Sequence, residues 1–113
     1  MKLRTFVFLL AALALPAQAQ TFPTKPIKLL VGVTPGGTTD TLARFLAQEM
    51  TRELGQTVIV ENRAGAGGNI AAEAVAKSPP DGYTLLFCNT SHSVNPGLYG
   101  DKLGFDAVRD FTP

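Results

Sequence analysis

The residues of this chain best suited to chemistry stand in three short segments rich in glycine, hydroxyls and amides. The first is Pro35-Gly36-Gly37-Thr38-Thr39-Asp40. Gly36 and Gly37 have no side chain to keep a ligand off the backbone, and the free N–H groups of a helix starting here favour negative charge. A Walker loop beginning at Gly32 needs lysine where Thr38 stands, and the spacing of Gly32, Gly36 and Gly37 does not fit a dinucleotide fingerprint. Two readings remain open, a general anion cradle or an ordinary glycine turn with Thr38 or Thr39 as the N-cap. Asp40 falls in the first helical turn, where it stabilises the dipole; as a ligand contact it repels an anion unless turned away.

The second segment is Glu61-Asn62-Arg63-Ala64-Gly65-Ala66-Gly67-Gly68-Asn69. Gly65 and Gly67 resemble the start of a dinucleotide motif, but Ile70 occupies the place of its third glycine. The glycines suit close helix–strand packing or a cleft wall, Asn69 suits an N-cap, and Arg63 either meets a carboxylate or is a solvated surface arginine. The third segment is Asn89-Thr90-Ser91-His92-Ser93. Its hydroxyls, amide and imidazole serve either a ligand, through Thr90, Ser91 and His92, or a plain turn. His92 has no Cys, His or carboxylate partner at metal-ligand spacing. Ser91 and His92 are adjacent and cannot form a triad pair, and there is no Gly-x-Ser-x-Gly elbow. Cys88 ends an apolar run and reads as a small buried hydrophobe, not a reactive thiol.

These segments follow elements that would position them. Ile27 to Val33 is nearly continuous in apolar residues, as in a strand covered on both faces. From Thr39 to Leu54, Leu42, Phe45, Leu46, Met50 and Leu54 recur at helical steps and predict one buried face, with Gly55 as a left-handed C-terminal cap. Val58 to Val60 predicts a second strand, Ile70 to Lys77 a second helix, and Tyr83 to Cys88 a third strand after the Pro80-Asp81-Gly82 turn. Asn95-Pro96 would open one short helical turn ending at Tyr99, with Pro96 at its first position. The order strand, helix, strand, helix, strand implies βαβ units, right-handed crossovers and an α/β fold with a mostly parallel sheet and flanking helices. Ligands of such sheets lie outside the carboxyl ends of the strands, where all three segments fall.

Lys2 and Arg4, the apolar run Phe6 to Leu15, Pro16 and Ala17-Gln18-Ala19 have the layout of a secretory signal peptide cut after Ala19. The apolar run is too short to cross a hydrocarbon core of about 30 Å as a helix, so no membrane insertion of the mature chain is expected. Residues 20–113 remain, enough for one small domain. Ten basic and nine acidic residues give a formal charge of +1, with no basic stripe, which argues against a nucleic-acid partner. A single cysteine excludes a disulfide scaffold and an all-thiolate zinc site.

The succession Lys25-Pro26-Ile27, Pro35 to Asp40, Leu54-Gly55-Gln56, Glu61 to Asn69, Asp81 to Leu86, Asn95-Pro96-Gly97-Leu98-Tyr99 and Asp110-Phe111-Thr112-Pro113 resembles the Bug family, the extracytoplasmic solute receptors of tripartite tricarboxylate transporters. The resemblance implies a periplasmic binding protein, not an enzyme, without a cofactor. Two α/β lobes would close on a small organic carboxylate and deliver it to a membrane permease. It also implies ligand-binding residues at the matching positions. Gly36, Gly37, Thr38 and Asp40 match the first family loop, Asn62 with Gly67 and Gly68 the second, and Thr90, Ser91 and His92, with Asn95, approximately the third. Gly32-Val33-Thr34, Cys88-Asn89 and Ala107 depart from the family's usual residues. Residues 20–113 would be the N-terminal part of lobe one, without the second lobe or the returning segment. Alone they should hold a carboxylate at millimolar affinity or not at all, because a few charge-assisted bonds of about 1.5–3 kcal/mol each are offset by an association cost of ~4–15 kcal/mol. The competing readings are a truncated, inactive product and a secreted α/β hydrolase using Ser91 and His92.

Overall fold

The computed structural model of the chain describes residues 21–113; the expected signal peptide, residues 1–19, lies outside them. Strand β1 (Ile27–Val31) is the middle of a three-stranded sheet ordered β2-β1-β3, and both of its neighbours, β2 (Val58–Asn62) and β3 (Thr84–Phe87), run parallel to it. That central place explains its composition. Ile27, Leu29, Leu30 and Val31 are all buried, while Lys28 alone along the strand reaches solvent. Ile27, Leu29 and Val31 share one face and join Ala43, Ala47 and Val58 in the main core. Leu30 points the other way and is buried on the opposite side of the sheet.

Helix α1 (Thr38–Leu54) connects β1 to β2, and α2 (Asn69–Ala76) connects β2 to β3 across β1. The chain therefore moves outward from β1 in one direction and then returns past it in the other, which under right-handed crossovers places the two helices on opposite faces of the sheet. Helix α1 ends where Gly55 takes the left-handed conformation (φ 68°) and donates its N–H to the Thr51 carbonyl, as expected from the glycine.

Helix α1 does not bury its large apolar residues. Leu42, Phe45 and Leu46 lie 55%, 64% and 39% exposed, and the face turned to the sheet is Asp40, Ala43 and Ala47, with Met50 partly buried beside the core. The expected buried face is therefore rotated. Two polar tethers on the inward side set this orientation. At one end, Asp40 is bonded to Asn62 of β2. At the other, Thr51 Oγ1 donates to the Ala47 carbonyl and accepts the Val58 N–H at the start of β2. Between them, two alanines allow the helix axis to approach the strands closely.

The third helix, α3, also departs from expectation. It spans Ser91–Tyr99, so Pro96 lies inside it and not at its first position. Asn89 explains the earlier start, since its Oδ1 accepts the Ser91 N–H and so satisfies one of the free donors of the first turn. Cys88, expected to be buried, is exposed past the end of β3, because β3 is an edge strand that closes at Phe87. No helix among the described residues is long and apolar enough to cross a membrane.

The rotation of α1 is checked by stability. Ala47→Leu should destabilise by about 1–3 kcal/mol through overpacking against β1 and β2. Phe45→Lys should stay within about 0.5 kcal/mol of the parent in chemical denaturation. The reverse order would place the large apolar face inward.

Candidate functional site

The parallel registers bring the three candidate segments to one edge. Val31 is paired with both Asn62 and Phe87, so the loops after β1, β2 and β3 leave the sheet at the same level. The first two are in close contact: a Cβ built on Gly32 would stand 2.6 Å from the Cα of Gly68, backbone against backbone. Only glycine permits this approach, which is the close-packing role open to these glycines in the sequence.

The first and second loops are also joined by a buried polar cluster. Asp40 is 2% exposed, and each of its carboxylate oxygens is occupied. Oδ2 accepts the Gly36 N–H at 2.9 Å and Arg44 Nε at 3.0 Å, and Oδ1 accepts Asn62 Nδ2 at 2.8 Å. Asn62 Nδ2 donates as well to the Val33 carbonyl at 3.1 Å, and Asn62 Oδ1 accepts Arg44 Nη2 at 3.0 Å. Neither Thr38 nor Thr39 caps the helix; Gly37 holds the N-cap position without a side-chain bond, and the Asp40 carboxylate reaches back to Gly36 instead. The hydrogen bond from Arg44, then those from Gly36 and Asn62, lower the Asp40 pKa to about 2 from its ordinary 3.8.

A second buried pair joins the second and third loops. Asn95, 4% exposed on α3, donates Nδ2 to the Gly67 carbonyl at 3.0 Å and to Asn69 Oδ1 at 2.5 Å. Asn69 is thus the first residue of α2 with its side chain engaged sideways, and Gly68 (φ 91°) is the N-cap where Asn69 was expected. One turn before Asn95 on α3, His92 is packed among aromatic rings: its imidazole stacks on Phe105 at 5.9 Å between centroids and meets Phe111 edge-on at 4.9 Å.

Where these elements converge there is a cavity of about 20 Å³, bounded by Gly32 and Thr39 from the first junction, Gly67, Gly68 and Asn69 from the second, and Asn89, His92 and Asn95 from the third. That volume admits a single water and is too small for an organic acid, so a ligand would lie above it, against the loop amides. Among the expected residues, Gly67, Gly68 and His92 border the cavity. Gly36, Gly37 and Thr38 stand at the rim of the first junction, exposed, and Asp40 and Asn62 are bonded to each other beneath them. Thr90 is exposed at the start of α3, and Ser91 is in its first turn with its N–H given to Asn89. Arg63 is paired on the surface with Glu61. Arg44, Thr39 and Asn89 were not among the expected residues. Arg44 had a readable signal, an arginine four residues after an aspartate on one helix.

Comparison with known proteins places this geometry. The profile of the tripartite tricarboxylate transporter family receptor matches residues 42–113. The chain is 50% identical over 104 residues to protein BugT of Bordetella pertussis (strain Tohama I), covering 91% of this chain and 32% of BugT. It is 46% identical over 105 residues to a UPF0065 protein of Bordetella bronchiseptica, covering 92% of this chain and 31% of that one. Among solved structures, MatC from Rhodopseudomonas palustris with bound malate superposes with a TM-score of 0.72 at 38% identity, over 81% of this chain and 31% of MatC. An R. palustris protein with adipate gives a TM-score of 0.68 at 42% identity, with the same coverage. The chain thus spans about a third of the length of the curated relatives it matches.

Two measurements check the junctions. A carboxylate whose pKa is lowered on folding contributes stability above its unfolded value and loses it as the pH falls through the folded one. Asp40 should therefore contribute to a loss of stability between about pH 4 and pH 2, and Asp40→Asn should flatten that part of the acid-unfolding curve. Gly32→Ala, which forces a Cβ onto Gly68, should cost about 1–3 kcal/mol in thermal unfolding.

Proposed function

The chain belongs to the tripartite tricarboxylate transporter receptor family, and on that footing we propose that it is the N-terminal part of the first lobe of a periplasmic receptor that captures a small organic carboxylate for a membrane permease. The family is one of solute receptors and not of enzymes. The observation that carries the reading is the shared register of β1 with β2 and β3, which sends three glycine- and hydroxyl-rich junctions to one edge of the sheet. The first turn of α1 leaves main-chain N–H groups without helical partners beside Gly36 and Gly37, a suitable seat for a carboxylate. Malate and adipate, the acids in the two superposed R. palustris structures, are the natural first probes.

In this reading Gly37 and Thr38 offer the acid their backbone N–H groups, Gly36, whose own N–H is given to Asp40, leaves the approach open by lacking a side chain, and Gly67, Gly68, Thr90, Ser91 and His92 form the opposite rim. Asp40 and Asn62 act from below, by holding the first loop. The alternative of a hydrolase at Ser91 and His92 gains nothing from the geometry, since the imidazole is packed against Phe105 and Phe111.

The test is titration of the chain with malate, followed at the backbone amides by nuclear magnetic resonance. Shifts confined to Gly37, Thr38 and the start of α3, at millimolar affinity, are expected. Gly37 has a φ of −80° and nothing within 4 Å of an added Cβ, so Gly37→Val has room in the fold and should block approach of the acid without unfolding the chain. Undiminished shifts in that variant would mean that the loop serves the fold alone.

A further inference from the structure

Arg44 extends from the second turn of α1 to both Asp40 and Asn62, and so touches the support of the first loop and the end of β2 together. We propose that Arg44 is a positioning residue of the acid-receiving loop: it holds the Asp40 carboxylate turned into the protein, and by neutralising it removes the repulsion that an incoming anion would otherwise meet beneath Gly36 and Gly37. The proposal rests on the carboxylate-receiving reading of these loops.

Asp40 Oδ2 is shared between the Gly36 N–H and Arg44 Nε, so without the guanidinium this buried oxygen keeps one main-chain donor and an uncompensated charge. Three outcomes are then open to the carboxylate: it takes up a proton, turns outward to water, or remains as a buried anion next to the loop. The first two loosen its hold on Gly36, whose φ of 93° glycine adopts freely and so does not fix by itself. The third places like charges near each other in a poorly solvated setting. The guanidinium prevents all three. Its fork is also needed as a fork, because Nε and Nη2 serve two different acceptors, Asp40 and Asn62, which a lysine ammonium cannot match. The half-exposed arginine is thus bound on its inner edge and is not itself offered to the ligand.

The experiment uses the whole chain and four variants, Arg44→Ala, Arg44→Lys, Asp40→Asn and the double variant Arg44→Ala/Asp40→Asn. The first readout needs no ligand. In Arg44→Ala, hydrogen exchange at the Gly36 amide should speed up about tenfold while the Ala47 amide in the middle of α1 is unchanged. The second readout is the malate-induced shift at Gly37 and Thr38. It should fall about tenfold in Arg44→Ala, fall by less in Arg44→Lys, which keeps the charge but not the fork, and return in the double variant, where the charge to be masked is gone. Unchanged exchange and unchanged malate response in Arg44→Ala would overturn the proposal. A loss that the double variant does not restore would overturn the masking half. If the parent chain itself does not respond to malate, the masking half falls for this chain, while the reading of the site, which allows this part of one lobe not to bind alone, is left standing and exchange at Gly36 still decides the positioning half. Should Arg44→Ala not fold, Arg44→Gln removes the charge with less loss of packing and is read in the same way.

Discussion

A carboxylate withdrawn from water needs donors at both oxygens, and in this chain the demand made by Asp40 organises everything around it. Its three donors come from three places that are separate in sequence: the loop before its helix, the next turn of the same helix, and the end of the neighbouring strand. Meeting that demand fixes where Gly36 stands and how β2 ends. It also fixes how α1 is rolled about its axis. The bonded cluster leaves no acceptor atom of the aspartate without a partner, which is the condition under which burying a charge is tolerable.

The roll of α1 is the clearest case of one interaction overriding another. Hydrophobic burial alone would turn Leu42, Phe45 and Leu46 inward. Two side-chain tethers, Asp40 to Asn62 and Thr51 to Val58, instead hold the opposite stripe against the sheet, and the alanines between them are small enough to fit. A count of apolar residues at helical spacing cannot detect this, because the deciding contacts are made by an aspartate and a threonine with residues about twenty and seven positions away. The strands were legible for the opposite reason. β1 is covered on both faces, so nearly all its side chains must be apolar, and short β-branched runs between glycine turns have few other uses.

The site was legible in outline and less so in detail. Glycine-rich junctions following strands pointed to one shared edge of the sheet, where the registers bring them, since parallel strands send all such junctions the same way. The division of labour within the junctions was not visible. Asp40 read as a residue of the first helical turn and Asn62 as a match to a family loop, and neither reading showed their bond to each other, while Asn95 read as the start of a helix when it lies well inside one. The start of α3 was missed because Pro96 suggested a boundary, whereas Asn89, a weaker signal, takes up the Ser91 N–H just before the helix with its side-chain oxygen. Side-chain amides are ambiguous in sequence because they can both donate and accept. Their role is set by what the fold places beside them.

The two amide braces have a consequence for how the junctions work together. Asn62 ties the first to the second, and Asn95 ties the second to the third, while Gly32 and Gly68 press the first two together along the backbone. The three loops are therefore one rigid rim, not three independent ones. Main-chain amides held in this way have no rotamers to freeze when they meet a partner, so their ordering cost is met on folding and not on binding. In the proposed receptor, a rim built from backbone and stiffened by buried amides would discriminate by charge and by how closely a group can approach glycine. Discrimination by side-chain shape must come from other parts of the surface that encloses a ligand. This is also why the chemistry of such a rim is so faintly written in residue types: the donors are the same N–H groups that every residue but proline carries, and only the glycines, the turns and the braces distinguish them.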